Sequence, residues 1–73
     1  MYFTIMNYLE VLGEFSGKIY RQEVTEEDFI ALQKMSARIV QLHSDGQLSR
    51  RQYRALYDMC ADLIDAARDA LRR

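Results

Sequence analysis

The chain has 73 residues, 49% of them hydrophobic, and its 10 basic and 11 acidic residues leave a net charge of −1 at pH 7. A chain with this charge balance lacks the general affinity for phosphate on which nucleic-acid binding relies. Nucleic acids and anionic membranes are therefore disfavoured partners. The one cysteine and the one histidine cannot form an internal disulfide or a complete zinc site. No cofactor or metal is therefore expected.

The size of the chain bears on its stability. A lone hydrophobic core is marginal at this length, and the hydrophobic fraction is high for a small monomer. We therefore predict a single helical domain over residues 1–73 that is completed by self-association, most simply as a homodimer. The apolar N-terminal stretch is interrupted by Glu10 and Glu14 and is too short to span a bilayer, so no membrane partner and a cytoplasmic location are expected.

The first predicted helix covers about residues 4–22 and is the least regular. Gly13 and Gly17 lie inside it, and each costs about 1 kcal/mol relative to alanine in a helix interior. One interpretation is a frayed or kinked helix. The other is that Gly13, Ser16 and Gly17 form a small-residue face that permits close approach of another helix. On the second interpretation, the residues predicted to mediate self-association are Leu9, Leu12, Gly13, Phe15 and Gly17.

The second predicted helix covers about residues 26–44 and begins at a clear signal. Thr25 is a good N-cap, and Asp28 lies where a capping box would place Glu or Gln. Val24 and Phe29 are spaced as a hydrophobic staple. The apolar stripe that follows consists of Phe29, Leu32, Met35, Ile39 and Leu42.

A corner, HSDGQLS, separates this helix from the third, which is predicted over about residues 50–72. His43 is expected to cap the second helix, Gly46 to adopt a positive φ, and Ser49 with Gln52 to form a capping box. The apolar stripe of the third helix is broader than one partner helix needs. The predicted fold is all-α, a small bundle built on an antiparallel hairpin of the second and third helices. The first helix packs across this hairpin or is exchanged with a second subunit.

The start of the third helix carries arginines where the helix dipole disfavours positive charge. Their position suggests a role other than stability, and tyrosine and arginine are the residues most enriched at binding hot spots. The predicted partner-binding cluster is Arg50, Arg51, Arg54 and Tyr57. The same arginines could alternatively belong to the recognition helix of a helix-turn-helix DNA-binding protein.

The remainder of the third helix carries a run of acidic residues at spacings of four, three and four, which places them on one helical face. They are Asp58, Asp62, Asp65 and Asp69. They form either a solvated face with local ion pairs or a second docking surface for a basic partner. Arg54 with Asp58, Asp65 with Arg68, and Asp69 with Arg72 are spaced for such pairs.

No catalytic constellation is visible, because His43 is isolated beside the corner and Cys60 lies on an apolar stripe. We therefore predict a small non-enzymatic protein that binds another protein, as an inhibitor or adaptor, of the size and style that phages or mobile elements encode. The alternatives are a small helix-turn-helix transcriptional regulator and a structural subunit or assembly factor of a larger complex.

Overall fold

The computed structural model describes residues 2–72, with side chains from residue 6 onward. This part of the chain forms three helices and no strand: α1 (Tyr2–Tyr20), α2 (Glu26–Ser44) and α3 (Arg50–Arg72). The predicted all-α class is confirmed, and the bounds of α2 and α3 agree with the prediction. Helix α1 begins earlier and ends earlier than the predicted range of 4–22, and it continues without interruption through both internal glycines.

The end of α1 differs from the prediction because the chain turns at a residue that does not usually signal a helix end. Gln22 adopts a left-handed conformation with φ of 59°, and the Glu23 N–H donates to the Lys18 carbonyl at 2.8 Å. The end of α2 is closed in the same way, by Gly46 with φ of 79° and by the Gln47 N–H donating to Leu42 at 2.9 Å. Both are Schellman-type ends, but only the second has the expected glycine.

Both predicted capping boxes are confirmed. At α2, the Asp28 N–H donates to the Thr25 hydroxyl at 3.2 Å, and the Thr25 N–H donates to the Asp28 carboxylate at 3.1 Å. At α3, the Gln52 N–H donates to the Ser49 hydroxyl at 3.1 Å, and the Ser49 N–H donates to the Gln52 side-chain oxygen at 2.9 Å. Each box satisfies two N–H groups that the first turn leaves without a partner.

Helix α3 packs against both α1 and α2, whereas α1 and α2 make little contact with each other. This central position explains the breadth of the apolar stripe on α3, because the stripe serves two neighbours. The fully or nearly fully buried core consists of Leu12, Leu32, Ile39, Leu42, Leu48, Leu56, Cys60 and Ala67. The Cys60 thiol donates to the Leu32 carbonyl at 3.4 Å, and burial raises the pKa of this thiol.

Contacts between helices also relate the ends of the elements. Residues late in α2 meet residues early in α3, as in the ring pair His43 and Tyr53. Residues early in α2 meet residues late in α3, since the Arg68 guanidinium lies 5.7 Å from the centre of the Phe29 ring. The end of α1 is joined to the start of α2 by an ion pair between Lys18 and Asp28 at 3.2 Å.

Candidate functional site

The corner between α2 and α3 positions the candidate site. Gly46 reverses the chain after α2, and Leu48 is buried beneath the corner. Ser49 then begins α3 through its capping box. Because the box defines the first turn of α3, the side chains that follow at spacings of three and four share one side of this helix. These side chains are Arg50, Tyr53, Arg54 and Tyr57.

Three aromatic rings form a ladder on this side of α3. The His43 and Tyr53 rings are stacked, with centroids 4.2 Å apart and planes inclined by 18°. The Tyr53 and Tyr57 rings follow at 5.6 Å and 38°. The first two residues are half-buried and Tyr57 is 37% exposed, so exposure increases along the ladder towards Tyr57. Aromatic pairs at such distances stabilise their local structure by about 1 kcal/mol beyond the area they bury.

The stacking corrects the expected role of His43. This residue does lie in the last turn of α2, but its ring packs on Tyr53. Backbone N–H groups close the helix end instead, since Asp45 donates to the Gln41 carbonyl at 2.9 Å and Gly46 donates to the His43 carbonyl at 3.0 Å. The imidazole is therefore part of the surface beside the arginines.

The ladder and two of the arginines enclose an open depression of about 400 Å³, which we call the corner cleft. It is lined by His43, Arg50, Tyr53, Arg54, Tyr57 and Asp58. Three of the four residues of the predicted partner-binding cluster therefore line one cleft. Arg51 is exposed but is not part of the lining, because a neighbouring position on a helix is rotated by about 100° from Arg50.

His43 and Tyr53 were not predicted to belong to this cluster. Tyr53 lies three residues after Arg50 and four before Tyr57, so its spacing was a usable signal that it shares their side of the helix. No local spacing signals His43, because it reaches the cleft from the other side of the turn.

The charged residues that line the cleft are two arginines and one aspartate. Within the described residues, the ion pairs shorter than 4.0 Å or at that limit join Lys18 to Asp28, Arg21 to Glu23 and Arg68 to Asp65. None of them includes an arginine of the cluster, and the expected pair between Arg54 and Asp58 is not formed. The pair expected between Asp69 and Arg72 is likewise not formed, whereas the one between Asp65 and Arg68 is present at 4.0 Å.

The aspartate series is divided by the structure. Asp58 lines the corner cleft, and Asp62 and Asp65 are exposed further along the helix. Asp69 lines a different depression of about 540 Å³ between the end of α1 and the end of α3, beside Ile19 and Ala70. The four carboxylates therefore share a helical face without converging on one point.

The residues predicted to mediate self-association are also divided. Leu12 is fully buried and Phe15 is half-buried against the same core, so both side chains pack within their own chain. Leu9 is 41% exposed, and no atom lies within 4 Å of where a side chain at Gly13 would begin. A Cβ atom placed on Gly17 would lie 3.0 Å from the Arg21 guanidinium, which covers this glycine. Only Leu9 and Gly13 thus present an open surface.

The cleft brings together two kinds of binding chemistry. The guanidinium groups of Arg50 and Arg54 can donate several hydrogen bonds to an anionic oxygen, and the rings of Tyr53 and Tyr57 can stack on a flat or apolar group. Among the residues that the structure describes, no three or more histidine, cysteine or acidic side chains are grouped as metal ligands. None of the described helices has the length and apolar character needed to cross a membrane. Comparison with models of protein families, with curated proteins and with solved structures found no match to the chain.

Proposed function

We propose that this protein is a small non-enzymatic regulator that acts by docking on another protein through the corner cleft, as an inhibitor or adaptor. The supporting observation is the aromatic ladder flanked by Arg50 and Arg54, which have no ion-pair partner in the described part of the chain. Tyrosine and arginine contribute most to binding energy when they are buried together at the centre of an interface. In the free chain these groups are instead accessible around an open cleft.

The arginines at the start of α3 favour one competing function, that of a helix-turn-helix DNA-binding regulator. Two observations weigh against it. Asp58 lines the same cleft, and Asp62 and Asp65 follow it on the exposed side of the same helix. A helix inserted in a groove would bring these carboxylates towards phosphates, and the net charge of −1 supplies no compensating attraction.

A role as a subunit or assembly factor has a different basis, namely exposed apolar side chains away from the cleft. Met6 and Leu9 lie on α1, Tyr20 at its end is 91% exposed, and Ile30 lies on α2. Scattered exposed apolar residues are common on small domains, so we place this function behind docking through the cleft.

We further propose the arrangement in which the cleft is presented. The contacts of His43 with Tyr53 and of Phe29 with Arg68 agree with an antiparallel hairpin of α2 and α3. A homodimer would form through the open side of α1 around Leu9 and Gly13. The mean mass of the protein in light scattering would then rise with concentration. A mass that stays monomeric at all concentrations would refute the dimer. We place the protein in the cytoplasm, where the one free cysteine, Cys60, stays reduced.

The experiment is affinity capture with three forms of the full chain, from a lysate of the cells in which the protein acts. The cleft variant combines Arg50→Ala, Arg54→Ala and Tyr57→Ala, and the matched control combines Lys34→Ala, Arg38→Ala and Tyr20→Ala. The control removes two basic residues and one tyrosine from exposed positions outside the cleft.

We expect one protein to be captured by the wild type and the control and lost with the cleft variant, while circular dichroism shows all three to be folded. Capture that is unaffected by the cleft substitutions would refute docking at this site. A sequence-dependent, salt-sensitive shift of duplex DNA that the cleft substitutions abolish would favour the regulator of transcription instead.

A further inference from the structure

We propose that the occupant of the corner cleft is an acidic segment of the partner protein. One of its carboxylates bridges Arg50 and Arg54, and an adjacent aromatic or aliphatic side chain packs on Tyr53 and Tyr57. This inference rests on the proposed docking function and specifies the chemistry that the cleft recognises.

Charge is the first argument. Arg50 and Arg54 are four residues apart on one helical face, so their guanidinium groups can approach the same anion. With Asp58 as the one acidic residue of the lining, the two arginines and this aspartate give the cleft a formal charge of +1. The positive end of the α3 dipole lies beside them. The whole chain carries −1, so the charge of the cleft is opposite in sign to the net charge of the chain and favours an acidic segment at this place.

The aromatic ladder is the second argument. A carboxylate alone would use the arginines and leave the exposed edge of Tyr57 in water. Because Tyr53 is held in place by its stack on His43, the two tyrosine rings offer a preformed apolar surface next to the guanidinium groups. Preformed groups lose little conformational freedom on binding. The cleft therefore fits a segment that alternates carboxylates with apolar side chains.

Asp58 distinguishes a protein segment from a nucleic acid, which would also offer anions and flat rings. A nucleic acid carries a phosphate at every nucleotide, so a strand running along α3 would place phosphates near Asp58 and near the exposed Asp62 beyond it. A protein segment can instead place a backbone N–H or a hydroxyl opposite Asp58. The acidic residue in the lining thus favours the protein segment.

The test uses the full chain, isotopically labelled, at low ionic strength and titrated with defined probes. The first probe is the peptide acetyl-Glu-Phe-Glu-Asp-Phe-Glu-amide, and its matched control is acetyl-Gln-Phe-Gln-Asn-Phe-Gln-amide. A short oligothymidylate is the third probe. Binding is followed by the side-chain N–H resonances of the arginines and the ring resonances of Tyr53 and Tyr57.

We expect saturable shifts at the cleft with the acidic peptide and affinity about tenfold weaker for the neutral peptide, since a charged hydrogen bond is lost. Arg54→Gln should weaken the acidic peptide by a similar factor, whereas Arg38→Gln, on α2, should leave it unchanged. Equal affinity for the two peptides would overturn the proposal. So would absence of shifts at the cleft at millimolar peptide, or tighter binding of the oligothymidylate.

The two proposals fail in different ways. If the lysate yields a partner that depends on the cleft while the peptides show no preference for carboxylates, docking stands and the acidic occupant is wrong. If the acidic peptide binds at the cleft but no captured protein depends on it, the recognition chemistry stands and the docking function is wrong.

Discussion

The Ser49 hydroxyl links the stability of the corner to the geometry of the cleft, and Ser49→Ala tests this link. The substitution removes the oxygen that accepts the Gln52 N–H at 3.1 Å and leaves that N–H without its partner. Loss of such a cap costs about 1 kcal/mol. The unfolding entropy of a 73-residue chain, taken as about 2.1 cal/mol/K per residue, is roughly 0.15 kcal/mol/K. The melting temperature should therefore fall by about 7 °C.

The assay is thermal unfolding by circular dichroism, with Ser44→Ala as the matched control. Ser44 is exposed in the last turn of α2 and has no capping role in the structure, so its variant should stay within about 0.5 kcal/mol of the wild type. Ser49→Asp should restore most of the loss, because aspartate is an equally good N-cap.

The same variant has a local consequence. If the first turn of α3 frays, Tyr53 moves away from His43, and the ring-current shifts that this stack imposes on the imidazole protons should decrease. Equal melting temperatures for the alanine variants at 44 and 49 would refute the argument. An unchanged imidazole spectrum together with a lower melting temperature would show that the cap stabilises the protein without holding the geometry of the cleft.

The remaining predictions concern the core, the helix ends and the pH dependence of stability. Leu12→Ala should lower the free energy of unfolding by about 3 kcal/mol, because this side chain is fully buried. Leu9→Ala, at an exposed position, should lower it by about 0.5 kcal/mol or less. Comparable losses for the two variants in urea unfolding would contradict the packing of α1. Gln22→Gly should stabilise the protein by about 1 kcal/mol and Gly46→Ala should destabilise it by about as much, since both positions have positive φ. Effects of the same sign for the two variants would be inconsistent with these helix ends. The pKa of Asp28 lies below its ordinary value of 3.8 because the Thr25 backbone N–H donates to the carboxylate, an effect that Lys18 reinforces against partial desolvation. A lowered native pKa means that the unfolded state binds more protons, so this contribution to stability is present above pH 3.8 and is lost as the pH falls through the native pKa. Asp28→Asn should remove this contribution, and urea unfolding between neutral and acidic pH should show a smaller acid-dependent loss than in the wild type; identical losses would rule out the link.

Much of the candidate site could be predicted from short-range patterns. The spacing of Arg50, Arg54 and Tyr57 places them on one side of a helix whatever the helix packs against. Whether these side chains form ion pairs could not be predicted in this way. The pairing expected between Arg54 and Asp58 is not formed, because exposed long side chains gain little by holding one geometry against water.

The local sequence by itself determined where α2 and α3 begin and where the chain turns between them. The capping boxes at Thr25 and Ser49 and the turn at Gly46 depend on residues within a few positions of one another, so their chemistry is readable along the chain. The end of α1 was missed for the converse reason, since glutamine at a left-handed position has no distinctive local signal.

Only the tertiary structure decided which side chains share an environment. It placed Leu12 in the core of its own chain, where sequence periodicity allowed an interface with a second one. It also brought His43 onto Tyr53 across the corner, where its position in the chain suggested a helix cap. The physical reason is the same in both cases. Helical periodicity defines which face of a helix is apolar, but the packing of α3 between its two neighbours decides what that face contacts.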